Sequence, residues 1–285
     1  MAADPSMSVQ ASLPKLGIIA GGGALPGLLV AACRSAGRDH FVLGLTGFAD
    51  TARLNADAWL RVGEIGKAFS ALNGAAVKEV VMAGTVRRPA IAELKTDFKG
   101  AAFLARIAGR AMGDDGLLSA VIGEIEREGF KVVGADSILS HLLAPAGVMG
   151  RHRPDAEAAT DIARGFQVAR AIGAVDVGQA VVVQQGIILG VEAAEGTDAL
   201  IARCKSLALE GLSGVLVKAK KPQQERRADL PTIGVATVHN AKAAGLRGIA
   251  VEAGNTLMIG RADIISAADE AGLFVVGVAP GEFGT

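Results

Sequence analysis

Leu16-Gly17-Ile18-Ile19-Ala20-Gly21-Gly22-Gly23-Ala24-Leu25-Pro26 decides how the chain begins to fold. The short apolar run suits a strand buried on both faces, and the three glycines allow a tight turn. Pro26 then fits the first turn of a helix that runs from Ala24 to Ala36. A strand, a glycine turn and a helix in succession aim backbone N–H groups and a helix N-terminus at a place suited to a phosphate. As a dinucleotide fingerprint the turn is incomplete. Gly21 and Gly23 match, but Pro26 stands at the third glycine position, and the next strand, His40 to Leu45, runs into Thr46 and Gly47 without an acidic residue. An NAD-linked oxidoreductase is therefore disfavoured, and a βα turn with no ligand stays open.

The whole composition agrees with that opening. The chain has 285 residues, 51% of them hydrophobic but only 4% aromatic, with no Tyr and 38 glycines. A core made from Ala, Val, Ile, Leu and Gly is the habit of parallel α/β proteins. Lys+Arg and Asp+Glu balance at 29 each, which argues against nucleic acid as a partner. Cys33 and Cys204 have no metal-ligand spacing and read as small core residues. Residues 1–14 are polar, lack a basic signal-type start and are expected to be disordered. No apolar stretch reaches the roughly twenty residues that span a bilayer, so the expected location is cytoplasmic.

Following the chain, a helix from Ile65 to Gly74 and a strand from Glu79 to Ala83 lead into Gly84-Thr85-Val86-Arg87-Arg88-Pro89. Gly113-Asp114-Asp115-Gly116 precedes an amphipathic helix from Leu117 to Glu128, where the carboxylates either cap the helix or bind a ligand. Strand Lys131 to Gly134 closes a series of five βα-like units. Residues 15–145 are thus expected to form an open parallel, Rossmann-like N-terminal domain. Residues 146–154, rich in Pro, Gly and charge, read as a linker, and 155–285 as a mixed α/β C-terminal catalytic domain. That second domain opens with a helix from Asp155 to Ala171. Asp176-Val177-Gly178-Gln179 then introduces a hairpin turning around Gln184 to Gly186 and delivering Glu192 and Glu195-Gly196-Thr197-Asp198. Later elements are a helix opening at His239-Asn240, a strand over Gly248–Glu252, a helix over Arg261–Ala271 and a last strand over Leu273–Val278.

Between two apolar runs lies the most highly charged loop, Lys218-Ala219-Lys220-Lys221-Pro222-Gln223-Gln224-Glu225-Arg226-Arg227-Ala228-Asp229-Leu230-Pro231. Its cations suit phosphate oxygens, and Glu225 and Asp229 suit a hard divalent cation. A solvated surface loop is the alternative reading of the same composition.

Taken together and in this order, the glycine turn, Gly113-Asp114-Asp115, Asp176-Val177-Gly178-Gln179, Val191-Glu192 with Glu195-Gly196-Thr197-Asp198, and the block from Lys218 resemble the LpxI family of UDP-2,3-diacylglucosamine pyrophosphatases. The resemblance implies a Mg²⁺-dependent hydrolase of lipid A biosynthesis that splits its substrate into UMP and 2,3-diacylglucosamine 1-phosphate in a cleft between two domains. In the family the charged block reads roughly Lys-x-x-Lys-Pro-x-Gln-Asp-x-Arg-x-Asp-x-Pro, and this chain departs from it with Glu225 at the first Asp. Lys218, Lys221 and Arg227 are the expected phosphate clamp. Asp229 and Glu225, with Asp198, are the expected Mg²⁺ ligands. Gly21, Gly22, Gly23, Asp114, Asp115, Gln179, Thr197 and Gln224 are the expected substrate contacts. The implied partner is a lipid nucleotide met in transient contact with the inner-membrane surface, and a homodimer is an open alternative. A nucleotide-sugar binding protein without catalysis is the competing function.

Overall fold

The computed structural model describes residues 13–87, 94–108, 113–280 and 282. Most of the expected N-terminal segment therefore lies outside the described residues, as do Arg88 and Pro89. Two compact units are present, Met1–Ala108 with Gly123–Val133 and Gly109–Ile122 with Gly134–Thr285.

In the first unit β1 (Leu16–Ala20), β2 (His40–Leu45), β3 (Ala58–Leu60) and β4 (Glu79–Ala83) alternate with α1 (Leu25–Ser35) and α2 (Ile65–Gly74). They are followed by α3 (Phe98–Ile107), α4 (Asp114–Arg127) and β5 (Lys131–Val132). The sheet runs β3-β2-β1-β4-β5 with every pair parallel, the Rossmann-like order expected for a βαβ chain. Ile18 pairs with Val42 on one side and Val81 on the other, and all three are buried. Helix α1 covers the sheet with Leu29 and Cys33, and α2 with Phe69 and Leu72, pairs that share a helix face.

The second unit contains α5 (Ala135–Ile138), β6 (Gly147–Met149), α6 (Ala156–Ala174), β7 (Ala180–Gln184), β8 (Ile187–Val191), α7 (Thr197–Cys204) and β9 (Val215–Lys218). After these come β10 (Thr232–Ile233), α8 (Val235–Ala243), β11 (Gly248–Glu252), β12 (Leu257–Met258), α9 (Arg261–Ala271) and β13 (Phe274–Val278). The six-stranded sheet has the order β6-β13-β11-β9-β7-β8. Strands β9, β11 and β13 are parallel, whereas β6, β7 and β8 run antiparallel to their neighbours. Alternation along β9 sorts the two cores: Val215 and Val217 face Ile162, Phe166 and Ala169 of α6, while Leu216 joins Leu200, Val238 and Ile264 of α7, α8 and α9. Gly165 lets α6 lie this close, because a Cβ there would run into the Val217 side chain.

Part of the expected linker lies in this sheet. Gly147–Met149 is β6, paired with Val275–Gly277 of β13, and Asp155 caps α6 by accepting from the Ala158 N–H at 2.7 Å. Its Pro and Gly content marks a tight approach to an edge strand, not a free connection. By contacts within the chain, Gly109–Ile122 and Gly134–Thr285 make up the second unit. Helix α8 also begins earlier than expected, at Val235, with Gly234 at its N-cap. The hairpin turns at Gln185-Gly186, both with positive φ (51° and 78°), the pattern of a two-residue turn between twisted strands. Among the described residues no helix is long and apolar enough to cross a membrane.

Candidate active site

Strand β9 ends at Lys218, and this places an ammonium at the carboxyl edge of the parallel strands, where open α/β sheets gather functional groups. The residue is buried, and its Nζ donates to Thr197 Oγ1 and to the Thr232 carbonyl, both at 3.0 Å. Burial pushes its pKa down, while Glu192, Asp229 and Asp198 pull it back up. Glu192, which follows β8, is buried as well. It accepts from the Thr197 hydroxyl at 2.6 Å and from the Gln179 N–H at 2.9 Å. Gln179 precedes Ala180, the register partner of Lys218, so a carboxylate, a hydroxyl and an ammonium form one hydrogen-bonded line whose two charged ends are buried.

A second charged group lies along the loop that follows. Lys221 Nζ is 2.6 Å from Asp176 Oδ1 and 3.6 Å from Asp115 Oδ1. Asp176 also accepts from the Asp115 N–H at 3.2 Å, which ties the start of α4 to this loop. Gly113 must be small here, since a Cβ would overlap the Asp176 carboxylate. Burial raises the pKa of Asp115, only partly opposed by Lys221, and its Oδ2 is buried with no hydrogen-bond partner among the described residues.

Between the two groups stands Asp229. Gln224 donates to its Oδ2 at 3.1 Å, and Gln224 itself is fixed by accepting from the Lys221 N–H at 3.2 Å. Crowding by protein around its carboxyl lifts the Asp229 pKa above the ordinary carboxylate value, with Asp115 adding to the rise and Lys218 and Lys221 opposing it, although the residue keeps exposed surface. Lys218, Lys221, Asp115 and Asp229 therefore act on one another, with Lys218 and Asp115 buried and Asp229 keeping exposed surface. The loop is not a solvated hairpin: Arg226 binds Asp136 at 2.6 Å and Asn255 at 2.5 Å, and Glu252 accepts from the Lys220 N–H at 2.9 Å.

Other expected residues are placed differently. Glu225 is taken up by Arg227, which reaches it from Nε at 3.0 Å and from a terminal nitrogen at 2.8 Å, and the pair holds the Glu225 carboxyl below its usual range. Asp198 accepts from Asn240 at 2.9 Å. Among the described residues no three His, Cys, Asp or Glu side chains converge as a metal set. Of the expected Mg²⁺ ligands, Glu225 pairs with Arg227, Asp198 with Asn240 and Asp229 with Gln224, beside the Lys218 and Lys221 ammonium groups. Asp114 opens α4, and its side chain lies outside the described residues. In the first unit, Gly21 and Gly22 spend their N–H groups on the Ala83 and Thr85 carbonyls at 2.8 and 2.9 Å. A Cβ on Gly21 would lie 2.7 Å from the Thr85 carbonyl oxygen, so these glycines bring the ends of β1 and β4 together. Gly23, with φ of 85°, completes the turn.

Glu192 and Asp176 were missed as site residues by sequence reasoning, although both stand in quoted motifs. Their signal is a carboxylate at a strand end or turn facing lysines of the basic loop.

Comparison with known proteins matches residues 15–142 to the LpxI N-terminal domain and 145–276 to the LpxI C-terminal domain. The chain is 46% identical over 276 residues to the UDP-2,3-diacylglucosamine pyrophosphatase LpxI of Caulobacter vibrioides, a match that covers 94% of this chain and 99% of that protein.

Proposed function

The chain belongs to the LpxI family, and from that premise we propose how its residues carry out the family reaction. The protein is a hydrolase that cleaves the pyrophosphate bond of UDP-2,3-diacylglucosamine in lipid A biosynthesis. The products are UMP and 2,3-diacylglucosamine 1-phosphate. Lys218 and Lys221 bind phosphate oxygens and stabilise the charge that grows on them as water attacks. Asp229, whose pKa lies above the ordinary carboxylate value, orients that water and takes its proton. The burial of the Lys218 ammonium beside Glu192, with Asp229 among the anions that act on it, is the observation that carries this reading. In a low-dielectric place, fixed charges act more strongly than in water.

A requirement for Mg²⁺ is part of the proposal. Lacking a three-carboxylate set among the described residues, the ion would be held largely by the diphosphate oxygens and water, as Mg²⁺ commonly is. Contact with the inner-membrane surface follows from the diacyl substrate alone. The test is release of UMP by the purified protein with Mg²⁺, its loss on adding EDTA and its return with excess Mg²⁺. UDP-sugar binding without turnover would favour the non-catalytic alternative.

A further inference from the structure

Lys218 carries three N–H donors, and two of them are committed, to the Thr197 hydroxyl and the Thr232 carbonyl. The third has no acceptor among the described residues. The Thr197 oxygen accepts from Lys218 and gives its own proton to Glu192 Oε1 at 2.6 Å, so the carboxylate fixes which way the hydroxyl lone pairs face. Glu192 is fixed in turn, because its Oε2 accepts the Gln179 N–H at 2.9 Å and its own N–H is bound to the Ala180 carbonyl at 2.8 Å. Gly178 permits the approach, since a Cβ there would run into the Glu192 carbonyl. A buried carboxylate held by a backbone N–H and a hydroxyl, with an ammonium one group further on, is costly unless the charges act together.

We infer that Glu192 is a positioning residue for the hydrolysis, fixing the Lys218 ammonium through the Thr197 hydroxyl so that one N–H remains for a phosphate oxygen. The inference rests on Lys218 being a phosphate-binding cation. Glu192 touches no substrate in this role. It sets the direction of the ammonium and helps keep it charged, together with Asp198 at the start of α7 and Asp229 in the basic loop, the other anions that act on Lys218. Lys221 and Asp115 reach the same place by acting on Asp229.

The test combines pH profiles of UMP release with NMR titration of Lys218 in protein labelled at the lysine side chain, the signal assigned with Lys218→Met. Glu192→Gln keeps an acceptor for the Gln179 N–H and removes the charge. It is expected to lower kcat/KM at least about tenfold at neutral pH. Both the alkaline limb of the rate profile and the Lys218 titration should move to lower pH, by about half a unit or more. Thr197→Val should lose rate to a similar degree, and Thr197→Ser should recover most of it. A folded Glu192→Gln protein whose Lys218 titration and alkaline limb stay in place, whatever its rate, overturns the inference. Should the wild-type protein release no UMP, the assigned reaction fails, and the NMR titration alone still decides whether Glu192 governs Lys218.

Discussion

The Lys221 ammonium is 2.6 Å from the carboxylate of Asp176, a residue forty-five positions earlier whose backbone is left-handed, with φ of 56°. A non-glycine residue held in that conformation costs of order 1 kcal/mol, which the surrounding contacts must offset. Asp176→Gly separates the two roles of the residue, because glycine takes this φ freely but carries no carboxylate. The expected outcome is a melting temperature near that of wild type with kcat/KM for UMP release at least about tenfold lower. Wild-type turnover from this variant would show that Asp176 serves the turn alone.

Asp229→Asn is expected to reduce turnover by about a hundredfold or more, the usual scale for one electrostatic group in a preorganised site. The same change should stabilise the fold at neutral pH. Crowding by protein around the carboxyl raises the folded pKa of Asp229 above its ordinary value of 3.8. The folded chain therefore holds a proton that the unfolded chain has released, and this group's contribution falls as pH rises from the ordinary value through the raised one. Melting curves of both proteins at about pH 4 and pH 7 check the sign: the variant should gain on wild type as the pH increases.

Lys218→Met and Arg227→Ala should differ sharply. Loss of Lys218 leaves Glu192 and Asp229 without their buried counter-charge, so both rate and stability should suffer, stability by about 3 kcal/mol or more. Arg227 is 39% exposed at its side chain and pairs with Glu225 two residues away, so its removal should cost less than tenfold in kcat/KM. Steady-state kinetics and denaturant unfolding measure both effects. An Arg227→Ala protein as inactive as Lys218→Met would restore arginine to the phosphate clamp.

Gly178→Ala is expected to destabilise the second unit by about 1–3 kcal/mol, because the new methyl would press on the backbone of Glu192. Turnover of the fraction that remains folded should also fall, as Glu192 is displaced from Thr197. A chemical denaturation midpoint equal to that of wild type would refute the close approach.

Wherever a long apolar or periodic run carried the signal, the sequence was legible. Helices over Ile65–Gly74 and Arg261–Ala271, strands over Glu79–Ala83 and Gly248–Glu252, and the hairpin at Gln185-Gly186 stand where their patterns put them. Strands β6, β10 and β12 are only two or three residues long and exist through partners distant in the chain, so no local periodicity announces them. The site divides in the same way. The lysines of the basic loop and Asp229 could be read from composition, whereas their partners are set by the fold: Asp136 meets Arg226 across ninety positions. Glu225 shows the converse, since Arg227, only two positions away, is the partner it takes.

Helix α4 starts in the unit that carries the basic loop and ends in the other, and Asp115 comes to Lys221 from its first turn. That arrangement limits how such a gene can be rearranged. A crossover near residue 143, between the two matched domain profiles, would pass on the lysines of the basic loop without Asp115 and Gly113. A descendant of that exchange would inherit Asp176 shaped for a glycine and a backbone N–H that its new N-terminal half need not provide. Heredity should therefore keep the two halves of this chain together, and a homologue with an exchanged N-terminal half should show compensating changes at Asp176 and Lys221.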